Sequence, residues 1–184
     1  MKWLVFSYRL PREPSRLRLA SWRRLRRLGA ILLHDTVWIL PSDPKTREHF
    51  EWLAEEIEEH GGTTFLWEAE SLAASEERLM VARFRAEAEA RYRAIADSGK
   101  AIRRAALSRR RGPRAKLLAH ALRQLRGLER ALRLEWRRDY FRVEARSEAA
   151  AAVRDAIAGV AERRSSMSST RRLHALGNPT ALSR

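Results

Sequence analysis

Apolar residues fall into two regimes along this chain. Over the first third they form short, nearly unbroken runs: Trp3 to Tyr8, Ala30 to Leu33, Val37 to Leu40 and Thr63 to Trp67. Runs this short, rich in β-branched and aromatic residues, predict strands. Between them the apolar positions take helical steps. Leu17, Trp22, Leu25 and Leu28 predict a helix over 16–28, and Phe50, Leu53, Ala54 and Ile57 a second over 46–60. Pro11 and Pro14 stop the first strand, Ser15 is placed to cap the first helix, and Gly29 to end it. Pro41 closes the third run, Ser42 or Asp43 is placed as the next cap, and Gly61-Gly62 terminates the second helix. His34-Asp35-Thr36 reads as a turn or bulge, giving two short strands or one kinked strand. The order β-α-β-β-α-β is that of a ferredoxin-like sandwich, with both helices on one face of an antiparallel sheet.

From Ser75 the period becomes helical and stays so. Positions 81, 84, 88, 92, 95, 99, 102 and 106 form one seam at alternating steps of three and four. The run from Ser108 to Arg114, with Gly112-Pro113, breaks it. Leu118, Ala121, Leu122, Leu125, Leu128, Leu132 and Trp136 then mark a second helix. Two such helices joined by a short turn predict an antiparallel coiled-coil hairpin projecting roughly 35–40 Å, with an arginine cluster at its tip. Asp97-Ser98-Gly99-Lys100 is a weak point where the first helix is free to kink, and Tyr140-Phe141 is suited to pack the hairpin's end. A short Ala-rich helix is expected over 149–161, followed by a disordered tail. The fold class is therefore α+β. Its expected parts are a ferredoxin-like domain over 1–75, a basic helical hairpin with a short helix over 76–162, and a basic tail over 163–184.

Charge sharpens this division. The 184 residues carry a formal net charge of +15. Residues 1–75 hold 11 basic and 11 acidic side chains, whereas 76–184 hold 27 and 12, so the second part supplies all of the excess. Within the first part, residues 9–27 contain eight Arg and one Glu, and 48–70 contain eight Glu and no Lys or Arg. Two helices of opposite sign would attract each other when packed side by side. Cysteine is absent, which excludes disulfides, thiol nucleophiles and thiolate metal sites. No apolar run reaches the roughly 20 residues of a membrane span, and no signal-peptide pattern opens the chain, so a cytoplasmic location is expected.

Several separated blocks carry a family resemblance. They are Ser7-Tyr8-Arg9-Leu10-Pro11, Pro14-Ser15-Arg16-Leu17-Arg18, Trp22-Arg23-Arg24-Leu25, Leu28-Gly29-Ala30, Val37-Trp38-Ile39-Leu40-Pro41, Phe50-Glu51-Trp52-Leu53, the stretch from Leu122 to Arg130 and Arg138-Asp139-Tyr140-Phe141. Together they resemble the amino-terminal domain of the chromate-resistance protein ChrB over about residues 1–160. The resemblance implies a bacterial, non-enzymatic regulator of a chromate exporter, with DNA as a partner and chromate or another oxyanion as a further ligand. ChrB-type proteins usually continue into a second domain, which this chain is expected to lack. The first 75 residues are more distantly similar to small CRISPR-associated nucleases of ferredoxin-like fold and to the middle domain of phenylacetate-pathway repressors. Those nucleases place an Asp for metal at the end of the first strand; here Tyr8-Arg9 stands there, and an arginine repels a divalent cation.

The candidate chemistry is correspondingly basic. Arg103, Arg104, Arg109, Arg110, Arg111, Arg114, Lys116 and Arg123 around the hairpin turn, with Arg16 and Arg23 of the first helix, are the residues suited to phosphate or oxyanion. A solvated basic face explains the same spacing without any ligand. His34, His49, His60, His120 and His174 show no ligand spacing, and the glutamates from Glu48 to Glu59 read as a solvated face, so neither a metal nor another cofactor is expected. Trp3, Trp22, Trp38 and Trp67 are expected in or against the sheet. The alternatives to a DNA-binding regulator are a metal-dependent nuclease on the same sandwich and a scaffold whose hairpin binds a protein or a second copy of itself.

Overall fold

A computed structural model describes residues 1–11, 13, 15–108 and 114–176, with backbone alone at 15, 114 and 168–176. The chain forms two compact units, one of Met1–Glu87 with Arg138–Arg142, the other of Ala88–Arg137 and the chain from Val143 onward.

The first unit runs β1 (Lys2–Arg9), α1 (Ser15–Leu28), β2 (Ile31–His34), β3 (Val37–Pro41), α2 (Pro44–Glu59) and β4 (Thr63–Glu70). The four strands form one sheet in the order β2-β3-β1-β4, and every neighbouring pair is antiparallel. The turn at Asp35-Thr36 separates β2 from β3, with Asp35 at φ +38° and a register shift between Leu32 and His34. Of the two cap candidates Asp43 is the one used. Its carboxylate accepts from the Lys45 and Thr46 amides at 2.8 and 2.9 Å, while its own amide donates to the Thr46 hydroxyl. Pro44 follows at the first helical position, where the missing amide is harmless. Gly29 ends α1 at φ +79°, where a Cβ would be strained and would lie 2.9 Å from the Cβ of Arg138.

Alternation in β1 aims Leu4, Phe6 and Tyr8 at one face and Trp3 and Val5 at the other. Phe6 meets Phe50 of α2 at 5.0 Å between ring centroids. Trp3 stacks on Phe84 at 5.6 Å and approaches Phe141 at 6.4 Å, and Phe84 also meets Tyr140 edge-on. These rings belong to one core with Leu25, Ile31, Trp38, Ile39, Leu40, Leu53 and Ile57. Two polar contacts tie 138–142 to α1. Arg138 donates to the Arg26 carbonyl at 3.0 Å, which also accepts from the Gly29 amide, and Tyr140 donates to the Leu28 carbonyl at 2.8 Å at the helix end. A boundary at residue 75 therefore cuts through this core, because Trp3 needs the rings of Phe84 and Phe141 to cover it.

Not every Trp is core. Trp3 and Trp38 are buried, but Trp22 and Trp67 are 47% and 52% exposed. Trp22 follows buried Ser21 by one residue, hence by about 100° around the helix. Trp67 pairs in register with Val5 and stacks on Phe65, two half-open rings on the edge strand β4. At the far end of β4, Glu68 accepts from Lys2 at 2.7 Å and Ser42 at 2.8 Å and pairs with Arg47. The bond from Lys2 holds the Glu68 carboxyl below the usual carboxylate range, and Glu68 in turn raises the Lys2 ammonium.

The second unit is built on α3 (Ala74–Ser108), whose first turns lie in the first unit, α4 (Arg114–Arg138) and α5 (Ala145–Leu176). The seam is buried where expected at Ala88, Tyr92, Ile95 and Gly99. It serves two helices rather than one. Tyr92, Ile95 and Ala96 share a cluster with Leu132 of α4 and Ala149 and Val153 of α5. Nearer the other end, Ile102 and Ala106 join Leu118, Leu122, Leu125, Ala156 and Val160. Late α3 thus meets early α4, so these two helices run in opposite directions. Arg91 and Glu135, 2.8 Å apart and largely buried, pin the pair across the cluster. Helix α3 runs uninterrupted through 97–100, where the Ser98 hydroxyl donates to the Ala94 carbonyl.

Two expectations are corrected here. The carboxy-terminal helix is not short: α5 runs from Ala145 to Leu176, past 161 and through 163–176 that were expected to be disordered. Nothing between Arg163 and Leu176 is a Gly or Pro, and serine costs a helix only a few tenths of a kcal/mol per residue, so no breaker arrives before Gly177 and Pro179. Trp136, expected inward, is 42% exposed and lies under the Arg146 guanidinium at 5.1 Å. The tail beyond 176 lies outside the described residues.

Candidate functional site

Lys100, Arg103, Arg104, Leu107 and Ser108 follow one another on α3 at helical steps, so they share one face beside the buried line of Gly99, Ile102 and Ala106. Ala152 and Asp155 of α5 form the opposite wall. Between them lies an open cleft of about 650 Å³. Three cations and a hydroxyl there face a single carboxylate.

The guanidinium of Arg103 lies against a position on α5 that has no side chain. A Cβ at Gly159 would sit 2.9 Å from Nε and 3.4 Å from Nη2 of Arg103, so the bare glycine leaves room for the guanidinium against α5. Among the described residues no ion pair engages Arg103 or Arg104, whereas Lys100 lies 4.0 Å from Asp97. Exposed guanidinium groups without carboxylate partners keep their donors free for an incoming anion. The cleft is open, so a bound anion stays partly hydrated and screened by salt. A phosphate held in place by a polymer suits it better than a small free ion, which needs a closed pocket to bind tightly.

The structure brings together only part of the expected set. Arg103 and Arg104 line the cleft. Lys116 and Arg123 are exposed on α4 and, seven residues apart, share one face of it. Arg109, Arg110 and Arg111 lie outside the described residues, as does the Arg114 side chain. Arg16 and Arg23 are exposed on α1, in the other unit. Lys100, Ser108, Asp155 and Gly159 were not anticipated. The helical spacing of 100, 103, 104 and 108 was a usable signal for the first two. Asp155 and Gly159 had none, because nothing local says which face of α5 meets α3.

The other chemistries have little to stand on. Among the described residues no three His, Asp or Glu side chains converge to hold a metal ion. Arg9 ends β1, opposite Thr63, His34 sits exposed at the end of β2, and Asp35 sits exposed in the turn that follows. A second cleft of about 390 Å³, between α3 and α4, is lined chiefly by alanines with His120 and Gln124 and carries no fixed charge. Among the described residues no helix is long and apolar enough to cross a membrane.

The family model described as "Protein ChrB, N-terminal" matches residues 18–167. No curated protein matches, and no solved structure does.

Proposed function

Because the chain belongs to the family of ChrB amino-terminal domains, which ties it to chromate resistance, we propose that it is a non-enzymatic regulatory protein that binds duplex DNA through the α3–α5 cleft. The observation that carries this reading is the set Lys100, Arg103 and Arg104 on one wall, with both guanidinium groups unengaged among the described residues and Gly159 making room for one. We read the first unit as a ferredoxin-like sandwich, on the strength of its strand order. Arg9 at the end of β1 weighs against the nuclease alternative, since it would repel the metal such chemistry needs. A tetrahedral dianion such as chromate carries the charge that the same three cations attract, but in an open, hydrated cleft it would compete only weakly with phosphates held in place by a duplex.

Measuring duplex affinity across a salt series tests this. Each phosphate contact contributes about −0.9 to the slope of log K against log salt, so Lys100→Ala/Arg103→Ala/Arg104→Ala should flatten the slope by roughly two to three units. The melting temperature should not move, because all three side chains are exposed. An unchanged slope would remove the cleft from the DNA interface.

A further inference from the structure

The exposed faces of α1 and α2 form a surface of two opposite signs. On α1, Arg16, Leu19, Arg23 and Arg27 recur at steps of three and four, all exposed, so they lie along the outward side opposite buried Ser21 and Leu25. On α2, Glu48, Trp52, Glu55 and Glu59 do the same, opposite buried Phe50, Leu53 and Ile57. Each stripe has one large apolar residue among its charges, Leu19 at 47% and Trp52 at 50% exposure. Arg24 and Glu56 bridge the two helices internally, and Arg26 is held by Glu87 at 3.2 Å. Among the described residues no ion pair engages Arg16, Arg23 or Arg27, nor Glu48, Glu55 or Glu59. Three unpaired cations therefore lie beside three unpaired carboxylates.

We propose that this face binds a second copy of the chain, the arginine stripe of α1 lying on the glutamate stripe of the partner's α2 and the reverse. Two-fold symmetry lays the same patch of one copy on that of the other, and a patch with one basic and one acidic half is complementary to itself when each half meets its opposite. The arrangement would pair both stripes at once and cover Leu19 and Trp52. A nucleic acid fits this face poorly, because the phosphates that reached Arg16 and Arg23 would meet the carboxylates of α2. The two arginines suggested for phosphate by sequence thus find a better partner in glutamate.

Charge exchange tests the proposal on the full-length chain. Sedimentation equilibrium should show a dimer that weakens by about tenfold or more when salt is raised from about 0.05 M to about 0.5 M, since exposed pairs are screened. Arg16→Glu/Arg23→Glu/Arg27→Glu makes both stripes acidic, and Glu48→Arg/Glu55→Arg/Glu59→Arg makes both basic, so each variant alone should be monomeric. Mixed in equal amounts, the two should form a heterodimer, because an all-acidic face then meets an all-basic one. Unchanged near-ultraviolet circular dichroism would show that both variants fold, as expected for exposed positions. A wild-type chain that stays monomeric at low salt would overturn the proposal. So would variants that keep the wild-type mass, or a mixture that fails to associate. Loss of duplex binding in the arginine variant without any change in mass would assign α1 to nucleic acid instead.

Discussion

The two units of this molecule solve the packing problem in opposite ways. The first fills its core with large rings: Trp3, Phe6, Trp38, Phe50 and Phe84 are all nearly or fully buried. The second is built from small residues, with Ala88, Ala96, Ala121, Ala149 and Ala156 buried beside Leu and Val. Rings let a small sheet with two helices exclude water from few positions, each carrying a large share of the stability. Alanines let three helices approach closely, with stability spread along the seam. The charges divide the same way. The first unit's charges are of both signs and oppose each other across α1 and α2. The second's are mostly positive and face outward.

That contrast predicts that the first unit breaks when volume is removed and the second when volume is added. Phe84→Ala takes away the ring that stacks on Trp3 and contacts Tyr140 and Phe141, and should cost about 3–5 kcal/mol, read as a fall in melting temperature. Ala149→Leu forces a larger side chain into a fully buried site against Tyr92 and Val153, and should cost about 1–3 kcal/mol. The comparison fails if Phe84→Ala is as mild as a surface change, or if Ala149→Leu is neutral. Gly159→Ala is the smallest perturbation and separates site from scaffold. Its methyl displaces only the flexible end of Arg103, and alanine favours a helix over glycine by about 1 kcal/mol. Duplex affinity should drop a few-fold while the melting temperature holds or rises.

Most of the first unit was legible because its signals are local. Pro11, Gly29, Pro41, Asp43 and Gly61-Gly62 punctuate the chain, and the runs between them declare strand or helix by period. What could not be read was which faces remain open. Trp67 and Trp22 look like core residues in isolation, but the edge position of β4 and a 100° turn of α1 leave them exposed. The seam of α3 was readable at most of its buried positions and α4 was readable as a partner, but α5 was not, because a heptad does not say how many helices share it. An Ala-rich stretch of weak amphipathicity gives little warning that α5 runs for 32 residues and adds Ala149, Val153, Ala156 and Val160 to the clusters along that seam. The cleft followed the same rule: the basic face of α3 was visible in its spacing, and the wall supplied by Ala152 and Asp155 was not.

The proposed function puts phosphate on the second unit and not on the arginines of α1. A salt series of duplex binding tests it most directly, comparing Arg103→Ala/Arg104→Ala with Arg16→Ala/Arg23→Ala on a duplex short enough for one protomer. The first pair should flatten the slope of log K against log salt by about two units and the second should leave it unchanged. The reverse pattern, with the slope lost in the α1 variant and kept in the cleft variant, would contradict the claim.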